Sequence, residues 1–411
     1  MTQTRRIHWA SLLTLVVFGF GLLIFLAAFV FASVSSIVHL IAGTGAPAAE
    51  MIGAFAFGFH ALLLIVCAWF VLQKTRGIEQ ADAPLKIPFT WSRAAAAIAV
   101  PVASALIGGM VSLAELEWLS WVFLPLLTLL VVVPPIWLYF GAGSNGLETG
   151  ARWRFFAIFG LGMTAAPFIM ILLEIVFLLF GVFAVSVYLA VTDPLLFAEL
   201  TDLAGIITEV TDPEAILQLA APYIANPVIL IAGFGYLAIL VPLIEEFFKP
   251  LAVWLFAKQI DSPAQGFVLG MASGAAFGLL ESLNASADGS TGWAVVVAAR
   301  AGTSLLHIVT SGLAGWGIVS AFREKRIGRL AAAFFASVLI HGVWNAAAAG
   351  AGIAAVGESI GKPEWLYNYA PAMLCGLLTM GVGIFAVLLA SNRKLKNQII
   401  QPKEEKVESA S

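Results

Sequence analysis

Ten long apolar runs follow one another along this chain, separated by short polar gaps, and that pattern leaves very few folds open. The runs lie near 9–33, 51–73, 94–114, 119–141, 155–185, 227–256, 266–286, 293–319, 330–350 and 370–390. A helix needs about 20 apolar residues to cross the hydrocarbon core of a bilayer. Inside that core a backbone satisfies its own hydrogen bonds only as a helix or a closed barrel. Of the 411 residues, 61% are hydrophobic and 11% charged, against about 45–50% and 25% in soluble domains. The expected fold is therefore an all-α integral membrane bundle of about ten transmembrane helices. Arg5 and Arg6 precede the first run as they would in a signal peptide, but the apolar stretch continues to about Ser33 without a small-residue cleavage site. It reads as the first membrane helix.

Lysine and arginine placement orients the bundle, because cytoplasmic loops are enriched in both. Basic residues stand at the N-terminus, at Lys74, Arg76, Lys86 and Arg93, at Arg152 and Arg154, at Lys258, at Arg323, Lys325, Arg326 and Arg329, and from Arg393 to Lys406. The alternate gaps, 34–50, 115–118, 193–226, 287–292 and 351–369, contain one lysine between them, Lys362. Ten helices with both termini in the cytoplasm satisfy every gap, and the expected location is the inner (cell) membrane. The gap 193–226 carries Asp193, Glu199, Asp202, Glu209, Asp212 and Glu214 with no Lys or Arg. Its apolar spacing suits one or two amphipathic helices on the outer surface. The tail after Lys394 is charged and contains a proline, and disorder is expected there. Cys67 and Cys375 fall inside apolar runs, so neither a disulfide framework nor a cysteine metal site is indicated.

Charged side chains inside a bilayer are costly, about 2.5–3.5 kcal/mol each on insertion scales, and call for a reason. The first five runs hold His60 and Glu174; His60 reads as a packing histidine and Glu174 as structural. The four runs from 227 to 350 hold Glu245, Glu246, Lys249, Glu281, Arg300, His307 and His341. This contrast divides the chain into N-terminal helices over 1–226, a polar four-helix core over 227–350, and a last helix with a charged tail over 351–411. Within the core, Glu245 and Lys249 are four residues apart and share a helix face, as do Phe277 and Glu281, and His341 and Asn345. Arg300 and His307 lie two turns apart on one face. Gly270, Gly274 and Gly278 form a small-residue stripe along which a neighbouring backbone can approach closely.

Four helices, each with one polar stripe, can point those stripes inward. Hydrolysis of a peptide bond needs a base for water and donors for the oxyanion. A glutamate supplies the first, and two histidines with an asparagine amide supply the second. The same set, Glu245, Glu281, His307 and His341, would also hold a divalent ion such as zinc, and the residues alone do not separate the two chemistries. No H-E-x-x-H is present, so a zincin site is not indicated.

The ordered series Glu245-Glu246-x-x-Lys249, Phe277-x-x-x-Glu281, Arg300 with His307, and His341-x-x-Trp344-Asn345 resembles the PrsW-type intramembrane proteases. That family is related to the CAAX prenyl endopeptidases and the bacteriocin-processing membrane proteases. The resemblance covers roughly residues 235–350. It implies that Glu245 is the water-activating base, with Glu246 the alternative. It places Glu281 where the relatives carry a histidine, makes His341 and Asn345 oxyanion donors, and leaves Lys249, Arg300 and Phe277 in supporting positions. Family members often have Asn directly after the second glutamate, whereas here Ser282 comes next and Asn284 stands three residues on.

The resemblance thus implies a glutamic-type endopeptidase that requires no cofactor, with zinc as the variant. Its partners would be the lipid bilayer and a membrane-anchored protein, anti-sigma-factor-like by analogy, and no nucleic acid. Two other classes place Glu and His inside a bundle: a proton-coupled transporter, which would show pH-dependent flux, and a non-catalytic scaffold, which would tolerate loss of the glutamates. Gly302-Thr303-Ser304 with His341 resembles a rhomboid Ser–His dyad faintly, but Leu305 stands where glycine is needed and both glutamates would be idle.

Overall fold

Prolines directly after polar capping residues start several of the helices. Asp193-Pro194, Asn226-Pro227 and Ser262-Pro263 each pair a side-chain acceptor at the N-cap with a proline whose missing N–H costs the first turn nothing. In the computed structural model, which describes residues 8–210, 213–224, 226–285, 292–359 and 368–408, these signals delimit an all-helical chain. The elements are α1 Trp9–Ala42, α2 Pro47–Thr75, α3 Trp91–Leu113, α4 Glu117–Ser144, α5 Arg152–Met163, α6 Ala165–Thr192, α7 Pro194–Ile207 and α8 Pro213–Ile224. They continue with α9 Pro227–Gly235, a π-helical turn Tyr236–Leu240, α10 Val241–Phe248, α11 Leu251–Phe256, α12 Pro263–Asn284, α13 Trp293–Glu324, α14 Ile327–Ser359 and α15 Ala370–Glu408. Among the described residues, ten helical stretches are long and apolar enough to cross a membrane. No strand occurs among them.

Three expectations change. The run 155–185 is not one continuous helix: α5 and α6 are separated at Thr164, which leaves the helical region at φ −122° and ψ −82°. Pro167 has no N–H for the Met163 carbonyl, and the Thr164 hydroxyl donates back to the Gly160 carbonyl at 2.8 Å. The run 227–256 is likewise interrupted, by the π-turn before Pro242 and by a break at Lys249-Pro250. The tail is helical to Glu408 rather than disordered. Its Lys, Gln and Glu residues are good helix formers, and Asn392 Nδ2 anchors the segment by donating to the carbonyls of Gly143 and Asn145. Where one or two amphipathic helices were expected in 193–226 there are two, α7 and α8. Arg5, Arg6, Asp212 and Lys362, which entered the orientation argument, lie outside the described residues.

The chain divides into two compact units. The first comprises residues 1–168, 248–337 and 383–411, and its core is α12 packed on α13. Almost the whole of α12 is buried, from Ala264 to Leu279, because the glycine stripe admits backbone on its other side. A Cβ at Gly270 would overlap the Ser311 carbonyl, and one at Gly315 would overlap the Gly266 carbonyl. Trp293 fills the space beside Gly108 and donates its indole N–H to Thr128 at 3.1 Å, fixing the start of α13 against α3 and α4. The second unit comprises residues 169–247 and 338–382, that is most of α6, α7 to α10, and parts of α14 and α15.

Candidate active site

In the first unit, Lys249 stands in the break between α10 and α11, fully buried. Its carbonyl accepts the Ser273 hydroxyl. Its ammonium donates to His307 Nδ1 at 2.9 Å and sits 5.3 Å from the centre of the Phe277 ring. An ammonium has only donors, so Nδ1 must accept, and the ring proton therefore lies on Nε2. Nε2 donates to Glu281 Oε2 at 2.6 Å, and Glu281 Oε1 accepts Arg300 Nη1 at 3.0 Å. Phe277 meets His307 edge-on, with ring centres 4.9 Å apart. Lys249, His307, Glu281 and Arg300 therefore form one continuous chain of charge-assisted hydrogen bonds. Full burial of Lys249 rules out an interfacial, snorkelling lysine at this position.

Helix spacing explains why these side chains meet. Phe277 and Glu281 are one turn apart on α12, and Arg300 and His307 two turns apart on α13. Gly274 and Gly278, on the intervening turns, bring α13 close enough for side chains to bond across the seam. Ser282 and Ser304 also face each other there, 3.0 Å apart. Ser273, under Lys249, carried no signal in the sequence, and nothing there pointed to the pairing of Ser282 with Ser304, since serine in an apolar helix is ordinary.

In the second unit, Glu245 and Glu246 on α10 lie with His341 on α14, all three buried. His341 Nδ1 donates to Glu246 Oε1 at 2.8 Å, while Nε2 lies 3.8 Å from Glu245 Oε2. The two neighbouring glutamates thus address opposite nitrogens of one imidazole. Asn345, one turn beyond His341, donates from Nδ2 to the Leu237 carbonyl at 3.0 Å. Asn284 donates to the Leu280 carbonyl of its own helix. His60 packs between the rings of Phe25 and Phe59. The Glu174 backbone accepts the Tyr236 hydroxyl at 3.1 Å.

A family model described as PrsW family intramembrane metalloprotease matches residues 150–390, more than half of the chain. The chain belongs to the PrsW family. The match runs beyond the motif-bearing stretch 235–350 on both sides, so α5 to α9 and the membrane part of α15 belong to the family region too. No curated protein and no solved structure matches the chain. Membership makes the protein a multi-pass membrane peptidase that acts on proteins of the bilayer.

The family description also implies a metal. Within the second unit, Glu245 and His341 supply a carboxylate and an imidazole, donor types common in hydrolytic zinc sites. Glu246 on His341 Nδ1 is the carboxylate partner that metal-bound histidines usually have. In kind, then, the residues fit. His307, however, has Lys249 on one nitrogen and Glu281 on the other. An ion would take this histidine only in exchange for one of them.

Proposed function

We propose that the protein hydrolyses peptide bonds of membrane-anchored proteins with water activated by Glu245. The observation that carries this reading is the placement of His341, with Glu246 at Nδ1 and Glu245 near Nε2. Two polar atoms 3.8 Å apart are too far for a direct hydrogen bond. A water set off the line between them reaches both at about 2.8 Å. Glu245 takes a proton from that water as its oxygen attacks the carbonyl carbon, and returns the proton to the amine as the C–N bond breaks. Glu246 fixes the orientation of the His341 ring through Nδ1. As an imidazolium, protonated on both nitrogens, His341 would donate from Nε2 to the developing oxyanion while Nδ1–H stays bonded to Glu246.

Glu281 and His307 are proposed to act in the same reaction, bonded to each other and each to a cationic side chain, Lys249 at His307 and Arg300 at Glu281. A divalent ion, held by Glu245, His307 and His341, would acidify a water and polarise the carbonyl. The bonds that already engage His307 favour the route without it. The substrate proposed, by analogy with the family, is a single-span membrane-anchored regulator of the anti-sigma-factor kind. The decisive experiment is cleavage of a single-span substrate by purified protein. Cleavage by the unaltered chain, lost in Glu245→Gln, is expected; full activity in Glu245→Gln, Glu246→Gln and the double variant would overturn the assignment.

A further inference from the structure

The helix that carries the two glutamates contains a defect directly before them. Over Tyr236–Leu240 the chain makes a π-turn, and Val241 N–H bonds to the Tyr236 carbonyl, five residues back. In a regular α-helix that N–H would serve Leu237. The Leu237 carbonyl is thereby released, and it is the atom that Asn345 Nδ2 reaches at 3.0 Å. The next carbonyl, Ala238, would be served by residue 242, but Pro242 has no N–H. Gly342 lies so close to this oxygen that a Cβ there would overlap it. The Tyr236 hydroxyl ties the start of the turn to the Glu174 carbonyl. One residue of α14 bonds the defect, a second makes room for it, and both belong to the turn that carries His341.

A π-turn inserts one extra residue into a helix, and each added residue rotates the remainder of the helix by about 100°. That rotation decides which side chains of α10 face His341. As built, Glu245 and Glu246 flank the imidazole, and Phe247 is 49% exposed. Without the insertion, α10 would turn by one residue and the pair would no longer straddle the ring.

We infer that Asn345 is a positioning residue, which acts through the Leu237 carbonyl to hold the π-turn and so sets the phase of the Glu245-Glu246 pair against His341. This rests on the reading of Glu245 and His341 as the hydrolytic pair, and it assigns Asn345 a different task from the oxyanion contact that the family resemblance implies.

The test measures the two quantities separately in full-length protein in bilayer nanodiscs. Histidine-15N spectra, with the His341 signals assigned by their loss in His341→Gln, report the bond to Glu246 whether or not the protein cleaves anything. Cleavage of a single-span substrate against pH gives kcat and KM. Asn345→Ala is expected to shift the His341 resonances, alter the pH profile and lower kcat about 10²-fold or more. Gly342→Ala, which leaves Asn345 in place but pushes on Ala238, is expected to shift the same resonances and profile. It also covers the case in which Asn345→Ala fails to fold. A lower kcat in Asn345→Ala with unchanged His341 resonances and pH profile would mean an oxyanion donor and overturn the inference, as would a variant that matches the parent throughout. If the unaltered protein cleaves no substrate, the proposed function fails while the spectra still decide the positioning.

Discussion

Gly274 lies directly against the carbonyl of His307, with no room between them for a Cβ. The residue that lets α12 and α13 touch therefore also fixes the height of His307, a candidate catalytic histidine. Gly274→Ala must push the helices apart or displace the His307 backbone, and overpacking of this kind costs about 1–3 kcal/mol. A lower thermal midpoint and reduced cleavage are expected together. Gly53 on α2, with nothing near its missing Cβ, is the control: Gly53→Ala should leave both unchanged. Equal behaviour of the two variants would show that the glycine seam does not position His307.

Lys249 offers a second prediction. It is fully buried and its ammonium donates to His307. Lys249→Met keeps the length of the side chain but leaves Glu281 with one fewer cation nearby and Nδ1 without that donor. Breaking a buried charged pair from one side typically costs about 3–5 kcal/mol. A clear fall in thermal midpoint, with cleavage reduced, is expected, whereas an interfacial lysine would show almost no change in either. Arg300, partly exposed on the other side of Glu281, should matter less: Arg300→Gln is expected to lower stability by about 1 kcal/mol or less.

Much of this was legible in the sequence, for identifiable reasons. Apolar runs of about 20 residues have one structural solution in a bilayer, so the helices followed from length and composition. The pairs Phe277/Glu281 and Arg300/His307 followed from helical spacing, and the glycine stripe announced the close helix seam. Thr164 and the π-turn were not legible, because a hydropathy pattern does not register the loss of one backbone hydrogen bond. Pro167 and Pro242 were the available hints, and each removes a donor at a break. The partner of Asn345 was hidden for the same reason: it is a main-chain carbonyl, freed by a defect that leaves no mark on side-chain pattern. Lys249 was ambiguous because position near a helix end fits a snorkelling lysine and a buried one equally well.

The entry of α1 should respond to pH. His8 caps this helix by accepting the Ser11 N–H on Nδ1 at 3.2 Å, and its ring meets Trp153 edge-on. Burial, and after it the nearby Lys74 ammonium, holds the His8 imidazole below its ordinary value of 6.5. The unfolded state then binds the proton more readily than the folded one, so the contribution of neutral His8 is complete above about pH 6.5 and is lost as pH falls below it. Amide exchange at residues 9–12, corrected for its intrinsic pH dependence, should accelerate between pH 7 and pH 5. His8→Ala should abolish that dependence; persistence of it would assign the effect to another group.

Orientation can be checked independently of catalysis. The Lys/Arg alternation predicts that the ends of α2, α4, α11 and α13 lie on the cytoplasmic side. Reporter fusions at Gln80, Asn145, Ser262 and Arg326 should read cytoplasmic, and fusions at Leu40 and Gly205 external. An external reading at Arg326 would break the ten-span arrangement between α13 and α14.

Chelation separates the two hydrolytic chemistries. With Glu245 as the base and His341 as the donor, removal of Glu245 basicity in Glu245→Gln should lower cleavage at least about 10²-fold, the usual worth of positioned proton transfer. His341→Ala should cost about 10²–10³-fold through the lost oxyanion contact. Both losses are also expected of a metal site, since both residues would be ligands, so the variants alone do not decide. A chelator acts on one route alone. His307 is already held by Lys249 and Glu281, and the cleavage rate is therefore expected to survive prolonged chelation, with added zinc giving no gain. Loss of activity on chelation, restored by a stoichiometric divalent ion, would show that the ion displaces Lys249 or Glu281 from His307. In that case Lys249→Met should bind the ion more tightly than the parent, because its competitor for Nδ1 is gone. Equilibrium dialysis of the two proteins against zinc measures that difference directly.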